Sequence, residues 1–333
     1  MLPLTNYVFY TAAAVGSVGA ILWASRLIQF RCLPDVDGPE TVVVRSIIAL
    51  SLITAESYLL GVIGAFSRTP LTIAFVGTGI AANALLARPP VKAVARRIPP
   101  LLVAIPAALG IVLLFAIWLV PTIEAVRGGM RGTDALWYHM PFALQFYQSH
   151  SLTGFAWNEP LFQTYFYPSL GSMFHALGMA FFDRDFLSPL VNIGWLALLV
   201  AAGAALGKRR GVTVAAALGV TVPFAGNLIT ELPLAGSATV DVGATFLFLA
   251  SVVLLLRSQD SRSAIALSGL AAGLGVATKL TIAIPAIGIA IGLLLIQSRG
   301  RRLSGLVIWG VAALGTSWLW FGRNLAETGS PLP

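Results

Sequence analysis

The sequence predicts an all-α protein that crosses a membrane many times, and three observations lead there. Of its 333 residues, 57% are hydrophobic and only 10% are charged, whereas soluble domains carry roughly 25% charged residues. The apolar residues are gathered into runs close to the ~20 residues that a spanning helix needs. The basic residues concentrate in alternate connections between those runs, the pattern of cytoplasmic loops. No soluble core of this length hides so much apolar surface.

Taken in order, the apolar runs are 8–24, 42–66, 71–87, 99–120, 186–206, 212–229, 239–256, 263–278, 280–297 and 303–320. The first lacks the basic n-region of a signal peptide and is expected to be retained. The stretch 121–185 differs in kind: it is polar, aromatic and broken by Pro141, Pro160 and Pro168. Its segment 161–182 is apolar enough to suggest an eleventh span, and charge decides against that. With 161–182 outside the bilayer, 15 of the 21 basic residues share one face, among them Arg45, Lys92, Lys208, Arg209, Arg210, Arg257 and Arg301. Arg68, Arg127, Arg131, Arg184, Lys279 and Arg323 remain on the other. With 161–182 inside, 208–210 would change sides and every later loop would invert.

The positive-inside rule therefore favours about ten transmembrane helices, with both termini and a large outer-face loop, 121–185, away from the cytoplasm. That loop holds 14 of the 33 aromatic residues, which suits juxtamembrane helices lying at headgroup level. Residues 1–98 read as an N-terminal three-span extension and 99–333 as the transmembrane core.

The net charge of +8 and pI near 10.1 follow from the cytoplasmic loops and do not indicate nucleic acid. A single cysteine, Cys32, excludes an intrachain disulfide and a cysteine metal cluster. Chemistry-bearing residues gather on the outer face. Eight of the 13 acids lie there: Glu124, Asp134, Glu159, Asp183, Asp185, Glu231, Asp241 and Glu327. All three histidines, His139, His150 and His175, belong to the loop. Lys279 and Arg323 stand at outer span ends, placed to hold the phosphate of an ester whose apolar tail stays in lipid.

Five stretches carry a resemblance: GTDALWYHMPFALQFYQSHSL (132–152), YFYPSLGSMFHALG (165–178), SATVDVGATFLFLAS (237–251), GLAAGLGVATKLT (269–281) and WFGRNLAETGSPLP (320–333). In that order they resemble the C-type superfamily of membrane glycosyltransferases (GT-C), which use polyprenyl-phosphate sugars and include protein O-mannosyltransferases and aminoarabinose transferase. The resemblance covers roughly residues 100–333. It implies sugar transfer from a polyprenyl-phosphate donor to an acceptor on the outer face of a bacterial plasma membrane, as part of cell-envelope chemistry. It also implies a required acidic residue in the first outer loop, a position that Asp134 matches, and a non-spanning helix after it. Family members begin at the span before that loop and continue beyond the final motif. A full enzyme or a truncated relative is therefore expected, with acceptor binding either missing or supplied by a protein partner in place of the missing C-terminal part.

Asp134 is expected to be the catalytic base; the blander alternative is a helix N-cap. His139 is expected to assist it. Lys279, Arg323 and Asn324 are the expected phosphate contacts, and Asp241, Tyr138 and Tyr167 complete the expected substrate site. No cofactor is required by the pattern, and the histidines show no metal-ligand spacing. A divalent metal remains compatible with an acidic site. Glu56 lies in mid-span, where a charge costs at least about 2.5 kcal/mol, and is expected to be neutral or paired. The glycines of 269–275 sit inside a span and read as a close-packing surface, not a phosphate loop. Two alternatives stay open: a non-catalytic membrane subunit with the same fold, and a transporter or lipid flippase.

Overall fold

The computed structural model describes residues 4–86, 101–155, 163–208, 210–224, 234–258 and 261–333. Lys92, Glu159, Pro160, Arg209, Glu231, the 98/99 boundary and the end of the expected span 212–229 lie outside the described residues. The described residues are helix and connection, with no strand. In chain order the helices are α1 (Leu4–Cys32), α2 (Pro39–Val62), α3 (Arg68–Leu85), α4 (Leu101–Gly128), α5 (Met140–Ser149), α6 (Leu170–Phe182), α7 (Ser188–Lys208), α8 (Thr213–Gly219), α9 (Asp241–Leu255), α10 (Arg262–Thr278), α11 (Ala283–Ile296) and α12 (Arg302–Thr328).

Among the described residues, five helical segments are long and apolar enough to cross a membrane: Leu4–Cys32, Pro39–Val62, Ile105–Gly128, Ser188–Lys208 and Arg299–Thr328. Ten were expected. The apolar segments Thr213–Phe224, Asp241–Leu255, Arg262–Thr278 and Leu280–Ile296 fold as shorter helices. The reason is local: an apolar run can be long while its N–H ladder is cut. Lys279 takes extended backbone (φ −149°, ψ 118°) between α10 and the 3-10 turn Leu280–Ile282, and α8 gives way to a 3-10 turn at Val222–Phe224, which contains Pro223.

The bundle buries little of its lateral surface. Ile284 is 77% exposed and Leu295 72% on α11, and Val311 is 66% exposed on α12, a surface suited to lipid and not to water. Inside, α10 packs between α9 and α12, and α7 between α8 and α9. Glycines set the first of these distances. A Cβ on Gly273 would stand 2.0 Å from the Ala313 carbonyl oxygen, and one on Gly269 2.3 Å from that of Trp309. The small residues of α10 thus let the α12 backbone come close. The N-terminal helices are part of the same body, since α2 touches α7, α9, α10 and α12. Buried Tyr58 on α2 donates to the Thr316 carbonyl of α12 at 3.0 Å. Glu56 accepts from Thr78 of α3 at 2.5 Å.

Charged pairs mark two ends of the bundle. At the basic end Lys208 pairs with Asp37 and Arg257 with Glu40 at 3.5 Å. At the opposite, loop-bearing end Arg68 pairs with Asp183 at 2.6 Å and Lys279 with Asp241 at 2.5 Å. Helix α6 has both its termini at the loop end. Its first turn meets Val240 and Thr278 through Gly171, and the Phe181 carbonyl past its middle accepts from Arg68. It therefore lies across the end of the bundle. Helix α5 runs beside it in the same direction, with His139 near Ser172 at one end and Tyr147 donating to Asp183 at the other.

Candidate active site

The loop after α4 enters the site through a π-helical turn, Ala135–His139. Pro141 explains the widened turn. It has no N–H to give the Trp137 carbonyl, and its ring crowds that carbonyl; Met140 instead donates back five residues to Ala135. Such turns recur at functional sites because they re-aim side chains. Asp134 precedes the turn with helical backbone and makes no capping hydrogen bond, so the N-cap role that its sequence context allows is not the one it takes. Its carboxylate lies close to the Tyr138 hydroxyl and acts on it electrostatically.

Tyr138 is the hub. Burial first, then the charge and hydrogen bond of Asp134, then the charge of Asp241 and the nearby Tyr167, push its phenol far above the ordinary value. The ring meets Tyr167 edge-on at 6.4 Å. Tyr138 stays neutral, within reach of the charges of both Asp134 and Asp241.

Asp241 is the first residue of α9, where a carboxylate complements the helix dipole, and Lys279 closes on it from the end of α10. The two side chains are 31% and 37% exposed, open enough for Lys279 to reach an incoming anion. No described cation pairs with Asp134. Of the two carboxylates near Tyr138, one is offset by lysine and the other is not, among the described residues.

Two neutral histidines floor the site. His139 is 6% exposed and His175 2%. Burial, then His175 and Lys279, pull the His139 pKa down to about 3. Burial pulls that of His175 to about 4, against the opposing pull of a hydrogen bond at the Ala238 backbone. His139 Nδ1 lies 3.4 Å from the Ser172 hydroxyl, and His175 Nδ1 has no partner among the described residues. Among the described residues no three His, Cys, Asp or Glu side chains converge on one point.

Arg323 and Asn324 hold a different post. Buried Arg323 donates to the Tyr165 carbonyl at 2.7 Å and lies 4.4 Å over the Phe155 ring. Asn324 donates to the Phe166 carbonyl at 2.8 Å. Together they clamp the 3-10 turn Thr164–Phe166, and through it Tyr167. The structure thus brings Asp134, Tyr138, His139, Tyr167, Asp241 and Lys279 together, with Arg323 and Asn324 one layer behind.

Sequence reasoning missed Asn192. Its side-chain amide donates to the carbonyls of Leu234, Ser237 and Thr239 at 2.9–3.0 Å, fixing the loop that delivers Asp241. The available signal was a lone amide inside an apolar span, which needs internal partners.

Residues 234–328 match glycosyltransferase family 87. The match begins at the loop that Asn192 fastens and runs through α12, so it contains Asp241, Lys279, Arg323 and Asn324. Asp134, Tyr138, His139 and Tyr167 lie outside it. It supports a membrane glycosyltransferase, and the long apolar helices agree with a multi-pass membrane protein. No curated protein and no solved structure matches the chain.

A groove of about 600 Å³ starts at Met140 and Pro141, directly after His139, and runs along α5 past Leu144 and Tyr147 to Arg184. Its walls are largely apolar and its far rim is charged, a shape suited to an amphiphile entering from the membrane surface.

Proposed function

We propose that this protein transfers a sugar from a polyprenyl-phosphate donor to a hydroxyl acceptor, at the loop-bearing end of the bundle and on the non-cytoplasmic side of the membrane. The observation that carries the reading is the convergence of Asp134, Tyr138, Asp241 and Lys279 at that end, beside the family-matched segment. Asp134 is the base. It takes the acceptor's proton while the acceptor oxygen bonds to the anomeric carbon. The bond from that carbon to the phosphate oxygen breaks, its electron pair leaves with the polyprenyl phosphate, and the sugar inverts. Lys279 exchanges part of its contact with Asp241 for the departing phosphate, which offsets the charge formed there. Tyr138 orients Asp134, and neutral His139 packs behind it without adding charge. A hard divalent cation, where the reaction uses one, would find two carboxylates in Asp134 and Asp241 and complete its shell with water and substrate phosphate. In this reading the shorter helices also cross, giving ten passages; the 14–17 residues of α9, α10 and α11 reach ~21–26 Å, so the bilayer thins around them, and the passage at 212–229 includes residues beyond the seven of α8.

Asp134→Asn tests the assignment. The amide keeps an oxygen for Tyr138 and loses the charge and basicity. Transfer of labelled sugar from polyprenyl phosphate is expected to fall by about 10²–10⁴-fold, with expression and melting temperature nearly unchanged. Full transfer by the Asn variant removes Asp134 from the mechanism. Absence of transfer by the unaltered chain favours a non-catalytic subunit.

A further inference from the structure

The basic end of the bundle holds a second pocket, remote from the site above. About 320 Å³ lies between the starts of α10 and α12 and the end of α11, lined on its polar side by Ser258, Ser261, Arg262, Gln297 and Arg301. Its cations differ from others at that end. Lys208 and Arg257 are paired with Asp37 and Glu40, whereas no described acid pairs with Arg262 or Arg301. The two serine hydroxyls already act as acceptors toward the protein. Ser258 accepts from the Gln297 side chain and Ser261 accepts from the Ala264 N–H, so each keeps its own proton to give. Two guanidinium groups and two serines line one small volume, with no acid among the described residues to offset them, a setting suited to an anion.

The opposite wall is apolar. Ile265 and Ile308 close the pocket, and beside it α12 presents Leu303, Val307, Val311 and Leu314, each more than half exposed, as a ridge descending along the bundle. A soluble anion has no use for that ridge; acyl chains do. We propose that this pocket binds the phosphodiester headgroup of an anionic glycerophospholipid from the leaflet at the basic end, with its chains lying along the α12 ridge. Basic pockets between helices at that membrane face are suited to such headgroups. The site would tie the α10–α11–α12 end to its leaflet independently of any sugar transfer.

The test is thermal melting of the purified full chain in neutral detergent, titrated with phosphatidylglycerol, phosphatidylcholine or inorganic phosphate. Phosphatidylglycerol is expected to raise the melting temperature, and the other two at matched concentration are not. Arg262→Gln with Arg301→Gln is expected to weaken the phosphatidylglycerol effect by at least about tenfold in midpoint concentration, the scale of losing charge-assisted hydrogen bonds. Both arginines are exposed, so the variant's own melting without lipid should match the unaltered chain. Arg210→Gln with Arg299→Gln removes the same charge from the same end but outside the pocket, and is expected to leave the midpoint within about twofold. An equal loss in the two double variants would reduce the effect to general charge and overturn the site. Equal stabilisation by phosphatidylcholine or by inorganic phosphate would overturn the anionic-lipid assignment.

Discussion

Tyr138 shows how much of the site depends on one backbone detail. Asp134, Tyr138 and His139 are all legible in the sequence as polar residues of one loop. Their arrangement is not, because it rests on the π turn that Pro141 imposes and on residues from α6, α9 and α10 arriving beside it. Asn192 was hidden for the same reason: its value lies in three carbonyls more than forty residues away. The buried histidines give the residue scale a measurable consequence. In the unfolded chain each binds a proton near pH 6.5, while in the folded protein His175 resists until about 4 and His139 until about 3. Between those values the unfolded state holds more protons, so stability is present above about pH 6.5 and is lost as pH falls toward 4 and 3. Melting temperature is expected to drop across that window, and the drop should be smaller in a His139→Gln, His175→Gln variant. An equally steep acid drop in that variant would assign the effect to other groups.

At the scale of elements, hydropathy located the helices better than it measured them. The runs 263–278 and 280–297 correspond to Arg262–Thr278 and Ala283–Ile296, which Lys279 and the turn after it separate. The described part of the run 212–229 is the seven-residue α8 and a 3-10 turn, because window averages count apolar residues and do not register a ladder cut by Pro223. Glycine patterning was more informative. The GLAAGLG stretch reads as a packing surface, and on α10 Gly269 and Gly273 face the α12 backbone while Gly275 faces Ile282 and Leu247. Gly273→Val should therefore cost more than the about 1–3 kcal/mol of ordinary overpacking, because the obstacle is a backbone carbonyl and not a movable side chain. Gly315→Val on α12 meets nothing within 4 Å of its Cβ and serves as the control. The expected readout is loss of folded, monodisperse protein for the first and near-normal yield for the second. Similar yields would mean that α10 and α12 can separate freely.

For the whole molecule, the decisive feature is that most basic residues gather at one end of the bundle while acids, histidines and the aromatic loop gather at the other. Composition identified the solvent as lipid before any element was placed, and the positive-inside pattern put the loop 121–185 opposite Lys208. What composition left open was how the N-terminal spans relate to the rest, since hydropathy carries no information on which helices touch. In the folded chain α2 forms part of the central packing through Tyr58 and Thr316. The course of α6 across the loop end also fixes the sense of α7, which begins at Ser188 near Asp183 and ends with Lys208 on Asp37. Cysteine labelling reads this directly. In a Cys32→Ser background, a cysteine at Asp185 and another at Arg210 occupy exposed positions at the two ends of α7. An impermeant maleimide added to intact cells is expected to label position 185 at once and position 210 only after permeabilisation. Labelling of both from one side would mean that α7 does not cross, and the order of passages after it would fail. Labelling of 210 alone would keep α7 as a span but turn the site toward the cytoplasm. That outcome would remove the outer-face transfer reaction while leaving the Asp134–Tyr138–Asp241–Lys279 geometry intact.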